Sequence, residues 1–294
     1  MDIAVHDSDQ TAFPNLALMK LSAHHKALGD TVSWYTPLLQ EKYDRIYSSK
    51  VFTYTPIDPY LPQDSRVIRG GCGYDRHSTL DSNVEHLCPD YSLYNATAAQ
   101  GFLTRGCPNK CPWCIVPEKE GAIKGNTTIH EFWKGQKSCI LMDNNILAHP
   151  HGLSQLEEIA SLPVRIDCNQ GMDARLVTEE VAELLSTVKW EKIRFSCDTS
   201  SQMPAIETAV KSIRKYTKKK GNFFIYVLVK DISDALERVL FLRALGCDPF
   251  AQPYRDFSLN AKPTREQRNF ARWVNHKAVF KTVSWDNYNR GIHG

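Results

Sequence analysis

The sequence predicts an α/β protein built on parallel sheets, and three observations lead there. Short strand-like apolar runs alternate with segments of helical period along most of the chain. Glycine, proline and capping residues punctuate that alternation, as at Pro14, Gly29, Thr178 and Gly246. The chain has 294 residues, 42% of them apolar and 23% charged, which is enough for a sizeable core in one or two domains.

Residues 1–95 read as a small parallel α/β unit followed by a linker. Ile3, Ala4 and Val5 make a short buried strand. Leu16, Met19, Leu21, Ala23 and Leu28 give a helical stripe that stops at Gly29. Thr31–Tyr35, Tyr43–Thr53 and Ser65–Ile68 read as three further strands. Residues 70–94 are rich in Gly, Asp and Ser and read as a crossing linker. Within it Tyr74, Asp75, Arg76 and His77 are candidates to line a pocket or to form a solvated turn.

From residue 96 to about 260 the pattern becomes strand, loop, helix, six times over. The strands are expected at Ala99–Thr104, Ser138–Met142, Val164–Cys168, Lys192–Cys197, Asn222–Val229 and Pro249–Pro253. The helices between them are expected at Thr127–Trp133, Leu153–Leu162, Thr178–Val188, Met203–Tyr216 and Ser233–Leu245. Thr127 or Thr128, and Thr178 with Glu179 and Glu180, suit helix N-termini. Residues 261–294 read as a C-terminal helical cap, with Phe270, Trp273 and Val274 at core-facing spacing.

The stretch Gly101 to Gly121, GFLTRGCPNKCPWCIVPEKEG, carries the chemistry. Cys107, Cys111 and Cys114 stand at spacing C-x3-C-x2-C. Pro108 and Pro112 keep a helix from running through them, so the backbone can wrap. Three soft thiolates in one loop suit an iron–sulfur cluster, with one iron left open because a fourth cysteine is missing from the run. A zinc site with its fourth ligand elsewhere, or three plain thiols, are the other readings, although zinc usually takes paired C-x2-C units.

With Trp113 directly before its last cysteine, this motif is similar to the signature of the radical S-adenosylmethionine (SAM) superfamily. The resemblance implies a [4Fe–4S] cluster on Cys107, Cys111 and Cys114, with SAM bound at the open iron through its amino and carboxylate groups. It implies reductive cleavage of SAM to a 5′-deoxyadenosyl radical that abstracts a hydrogen from an unidentified substrate. A low-potential electron donor such as flavodoxin or ferredoxin would then be a partner. The expected fold is a partial (β/α)6 radical SAM barrel preceded by a small Rossmann-like parallel α/β domain. In one large subgroup such a domain binds cobalamin. Its Asp-x-His-x-x-Gly motif is absent here, so the domain is expected without a histidine-ligated cobalamin, and a base-off cobalamin stays open.

In α/β barrels ligands bind at the C-terminal ends of the strands. The residues there are Asp143, Asn144 and Asn145, then Gln170 and Arg175, then Asp198. The resemblance implies that they contact SAM, with Asp-Asn-Asn standing where the superfamily often has Gly-Gly-Glu. Asp143 and Asp198 are also good helix caps.

Composition narrows the rest. Net charge is +3, so no global attraction to polyanions is built in. No run of eighteen apolar residues and no leader is visible, so a cytoplasmic protein without a membrane span is expected. Cys139, Cys168 and Cys197 read as core thiols, and Cys72 and Cys88 as the candidates for any fourth ligand. Lys211, Arg214, Lys215, Lys218, Lys219 and Lys220 form a basic helix end. The tail interleaves cations with Trp273, Trp285 and Tyr288. These features keep a second function class open, a methyl- or methylthiotransferase acting on nucleic acid or nucleotide. A non-enzymatic zinc module is the third.

Overall fold

The computed structural model describes residues 1–217, 222–256 and 261–293. Its first sheet comprises β1 (Asp2–Asp7), β2 (Thr31–Trp34), β3 (Arg45–Ser49) and β4 (Val67–Gly70), all parallel in the order β2-β1-β3-β4. The helix Leu16–Ala27 makes the crossover from β1 to β2, capped by Asn15 and stopped at Gly29, whose φ is +81°. Ala4, Tyr43, Ile46, Leu61 and Val67 form a core of their own.

The chain then lays down β5 (Ala99–Gly101). A small antiparallel ribbon follows, β6 (Thr104–Arg105) with β7 (Lys124–Gly125). The remaining strands are β8 (Ser138–Leu141), β9 (Arg165–Cys168), β10 (Trp190–Ser196), β11 (Phe223–Val229) and β12 (Asp248–Pro253). The large sheet runs β12-β11-β10-β9-β8-β5, wholly parallel and in unbroken chain order. The expected single strand Ala99–Thr104 is therefore two. Leu103 and Thr104 leave the sheet because their amides go to a buried carboxylate, described below.

Alternation along these strands sorts the two faces. Ile166, Cys168, Ile193, Phe195, Cys197, Ile225, Val227 and Val229 are buried in one cluster with helix residues such as Leu156, Leu185, Ile206, Val239 and Leu242. Cys139, Cys168 and Cys197 are fully buried, as their apolar neighbours predicted. Phe270, Trp273, Val274, Phe280 and Trp285 join the same cluster, so the tail's tryptophans pack as core and are not free to stack bases. Asn275 pairs both ways with the backbone of Ala251, at 2.8 and 3.0 Å, and so satisfies the outer edge of β12.

The other face of the large sheet is polar and aromatic. Arg194 forms a two-point ion pair with Asp167 at 2.5 and 2.7 Å and donates to the Tyr226 hydroxyl at 3.2 Å. Tyr226 in turn donates to the Asn169 carbonyl at 2.7 Å, and Phe224 stacks on Phe250. Nothing in the strand periodicity marked Asp167 and Arg194 as partners, because each sits in a strand on its own.

Gly101 ends β5 against the Phe132 ring. A Cβ there would lie 2.5 Å from the nearest ring carbon. Gly101→Ala should therefore lower stability by about 1–3 kcal/mol through overpacking, read from urea midpoints. Phe132→Leu in the same background should recover part of the loss. An unchanged midpoint in the single variant would show that the ring moves aside freely.

Candidate metal and cofactor centre

Asp143 organises the centre. It follows β8, is fully buried, and accepts from Leu103 N at 3.1 Å, Thr104 N at 2.5 Å and Thr104 Oγ1 at 2.7 Å. Those bonds turn the chain out of β5 and into the ribbon that bounds the cysteine loop. Burial pushes the Asp143 carboxyl up from 3.8 to about 6, against the pull of its donors. The expectation that Asp143 contacts SAM is corrected here. Both its oxygens are committed to the backbone and hydroxyl of the loop's own entry strand, and no surface of it is exposed.

Gly106 makes the turn into Cys107. Its φ is +86°, and a Cβ would meet the Ala122 carbonyl oxygen at 2.5 Å, so only glycine fits without strain. Its N–H donates to Asn144 Oδ1 at 3.1 Å. Asn145 Nδ2 points at Cys107 Sγ, 3.6 Å away. Asn145 is 2% exposed and its Oδ1 has no hydrogen-bond partner. A buried unpaired carbonyl is costly and calls for a donor.

Further along, Asn109 Nδ2 donates to Asp173 Oδ2 at 2.9 Å, and Arg175 clamps the same carboxylate through Nε and Nη2 at 2.8 and 2.6 Å. Asp173 is held below the usual carboxylate range: burial raises it, but the Arg175 and Asn109 hydrogen bonds outweigh that. Two of the donor edges of Arg175 are thus already spent on Asp173. Asp198 accepts from Leu228 N at 3.2 Å, and the Trp113 indole lies near it, where it favours the charged carboxylate. Burial keeps the Asp198 carboxyl above its ordinary value. Gln170 is exposed and bonds only its neighbour Asn169, at 3.2 Å, so it stands at the rim.

The cysteine loop is thus fastened to the polar positions that follow β8 and β9, and Trp113 lies near the one that follows β10. Cys107 and Cys111 are half-buried and Cys114 is exposed. Burial first, then the neighbouring thiols and Asp198, raise the Cys111 thiol, while Arg175 opposes them. Burial and the same neighbourhood raise Cys114, whose Sγ accepts from Val116 N at 3.5 Å. Among the described residues no three His, Cys, Asp or Glu side chains close around a single ion-sized point. Ligands of a cubane stand further apart than that, because each holds a different iron.

The linker reaches this loop as well. Arg76 pairs with Glu118 at 3.0 Å and Lys119 Nζ donates to the Ser78 carbonyl at 2.7 Å. Arg105 is taken up by Glu85 and Glu120, at 2.5 and 3.2 Å. Tyr74 turns instead toward the small sheet, where its hydroxyl meets Ser8 and Ser48 at 3.0 and 2.9 Å. His6 bonds Ser48 at 2.9 Å and Asp58 at 3.1 Å in the same network. These groups occupy the ends of β1 and β3, where the strand order reverses and a doubly wound sheet would take a ligand. Thr104 and Asn109 are functional positions that strand-end reasoning did not single out, because Thr104 lay inside an expected strand and Asn109 inside the cysteine loop.

Comparison with protein-family models gives no match to this chain, and comparison with curated proteins gives none. Among the described residues no helix is long and apolar enough to cross a membrane. Of the basic run, Lys211 pairs with Glu207 and Lys215 with Glu179, at 2.6 and 3.0 Å, while Lys218, Lys219 and Lys220 lie outside the described residues.

A buried carboxyl raised in the folded state binds its proton more tightly there than in the unfolded chain. The contribution of Asp143 to stability should therefore fall as pH rises from about 4 to about 6, by of order 2–3 kcal/mol, and stay level above that. Asp143→Asn should lose this component and, because its amide faces donors, cost about 1–3 kcal/mol near pH 5. Urea midpoints across that window for both proteins measure it, and parallel profiles would show that Asp143 does not titrate there.

Proposed function

We propose that this chain is a radical SAM enzyme whose Cys107, Cys111 and Cys114 hold a [4Fe–4S] cluster. The observation that carries the reading is the fastening of the three-cysteine loop over the C-terminal ends of β8 and β9 by Asn144 and Asp173, with Trp113 near Asp198 after β10. The unbroken parallel order of the large sheet agrees with a partial (β/α)6 barrel, in which strand ends are the ligand face.

The residues present fit such a group. Three thiols in one loop supply soft ligands without a fourth, which leaves one coordination position for another molecule. Asn145 and Val116 direct N–H groups at two of the sulfurs, the arrangement that eases the added negative charge of a reduced cluster. When bound, the cluster and SAM supply one-electron cleavage of the sulfonium and hydrogen-atom abstraction. The protein's part is placement. Asn145 Oδ1 is a buried acceptor without a partner among the described residues, in the side chain that faces Cys107. Arg175 keeps a donor edge beyond its Asp173 clamp and lies within the field of Cys111 and Cys107.

Anaerobic reconstitution with iron and sulfide tests the reading. Cys107→Ala, Cys111→Ala and Cys114→Ala should each lose the cluster's absorbance and, with dithionite and SAM, the release of 5′-deoxyadenosine. Retention of both would sink the assignment, and stoichiometric zinc in untreated protein would favour the zinc module. Asn145→Leu should keep the cluster but shift its reduction potential to a more negative value, followed by electron paramagnetic resonance during redox titration. An unmoved potential would mean that the amide does not reach the sulfur.

A further inference from the structure

We infer that the cleft at the end of β12 binds single-stranded nucleic acid. The cleft is lined by Tyr54, Pro253, Arg255, Lys262, Pro263 and Arg268 and encloses about 500 Å³. Three of these six residues are cations, and among the described residues no carboxylate lines it. Its aromatic wall comes from the other end of the molecule's architecture. Tyr54 sits on the loop that leaves β3, 53% exposed, and the half-exposed Phe52 ring stacks on it at 5.2 Å and 20°. The Arg255 guanidinium lies over the Tyr54 ring at 4.4 Å. Exposed flat rings beside cations are the elements from which single-strand sites are built: the bases stack, and the phosphates meet the charges.

The placement favours a polymer over a mononucleotide. Every strand of the large sheet is parallel, so the C-terminal end of β12, which carries Pro253 and Arg255, opens on the same side as the cysteine loop after β5. The two stand at opposite edges of that side. A ligand that engages both is extended along it. A double helix hides the base faces that Phe52 and Tyr54 offer, which leaves the single strand. The tail tryptophans take no part, since they are buried. That a strand held here is the substrate rests on the proposed reading of the cysteine loop; that it binds does not.

Fluorescence anisotropy with labelled single strands of about twelve nucleotides, one DNA and one RNA, at about 50 mM salt tests this with the full chain. Binding should be seen both before and after reconstitution with iron and sulfide, so a failed cluster assignment and a failed cleft are told apart. Arg255→Ala/Lys262→Ala/Arg268→Ala should weaken binding by tenfold or more and flatten the salt dependence by about two in log–log slope, at about 0.7 per phosphate contact. Tyr54→Ala should weaken it roughly tenfold, and Tyr54→Phe much less. The single charge reversal Lys262→Glu, at an exposed site, guards against misfolding of the triple variant and should also weaken binding. Lys211→Ala/Lys215→Ala, on the basic helix end, should bind as the unaltered chain does. No anisotropy change at low salt, or equal affinity for a duplex, overturns the proposal. Loss in the cation variants with Tyr54→Ala unaffected overturns it in favour of a plain polyanion site.

Discussion

The carboxylate of Asp143 is the constraint on which the candidate centre depends. It takes a charge into the interior, where an isolated ion is unfavourable, and three hydrogen bonds from Leu103 and Thr104 offset that cost. The geometry of those donors ends β5 early and aims the following residues out of the sheet. Without it Thr104 would continue the strand, and Gly106 would turn the cysteines toward a different part of the surface. The loop that bears the chemistry is held by a residue that the chemistry does not touch.

From that anchor the rest follows as a series of single bonds across the strand ends. Asn144 takes the Gly106 amide, Asn145 faces Cys107, and Asp173 takes Asn109. Each of these post-strand polar residues is spent on one point of the loop, so the loop is spread over two strands. Such spreading suits a ligand of several atoms and opposes tight closure on one ion.

Most of the framework was legible in the sequence because it rests on local rules. The helix Met203–Tyr216 lies where its stripe and Pro204 put it, and strands β8 to β12 lie within a few residues of their apolar runs. Phe270, Trp273 and Val274 face the core as their spacing requires. What the sequence hid is pairwise and long-range. Asp143 and Thr104 are 39 positions apart, Asn109 and Asp173 are 64 apart, and Asp167 and Arg194 are 27 apart. No periodicity joins such partners, because the contact is made by the fold. The same blindness explains why Asp143 read as a ligand: a carboxylate just past a strand looks the same whether it faces outward or is folded under the loop.

The small sheet illustrates the converse. Its strand order reverses between β1 and β3, the position at which a doubly wound sheet is ready for a ligand, yet His6, Ser48, Tyr74 and Asp58 bond one another there. His6 and Ser48 are nearly wholly buried, so their hydrogen bonding is turned inward. What the small sheet does present is the loop after β3, with Phe52 and Tyr54 outward and Arg255, two residues past the large sheet's last strand, laid on the Tyr54 ring. Gln100 of β5 meanwhile donates to the Pro14 carbonyl at 3.2 Å, and Tyr94 to Asp7 at 2.7 Å. The small sheet therefore touches the large one at both edges, near β5 and near β12. An open sheet bridged in this way gains a wall on the side its own strands leave unclosed. The unit reads best as the part of the molecule that bounds the ligand face, its surface loops having taken over a role that its inner crevice does not serve.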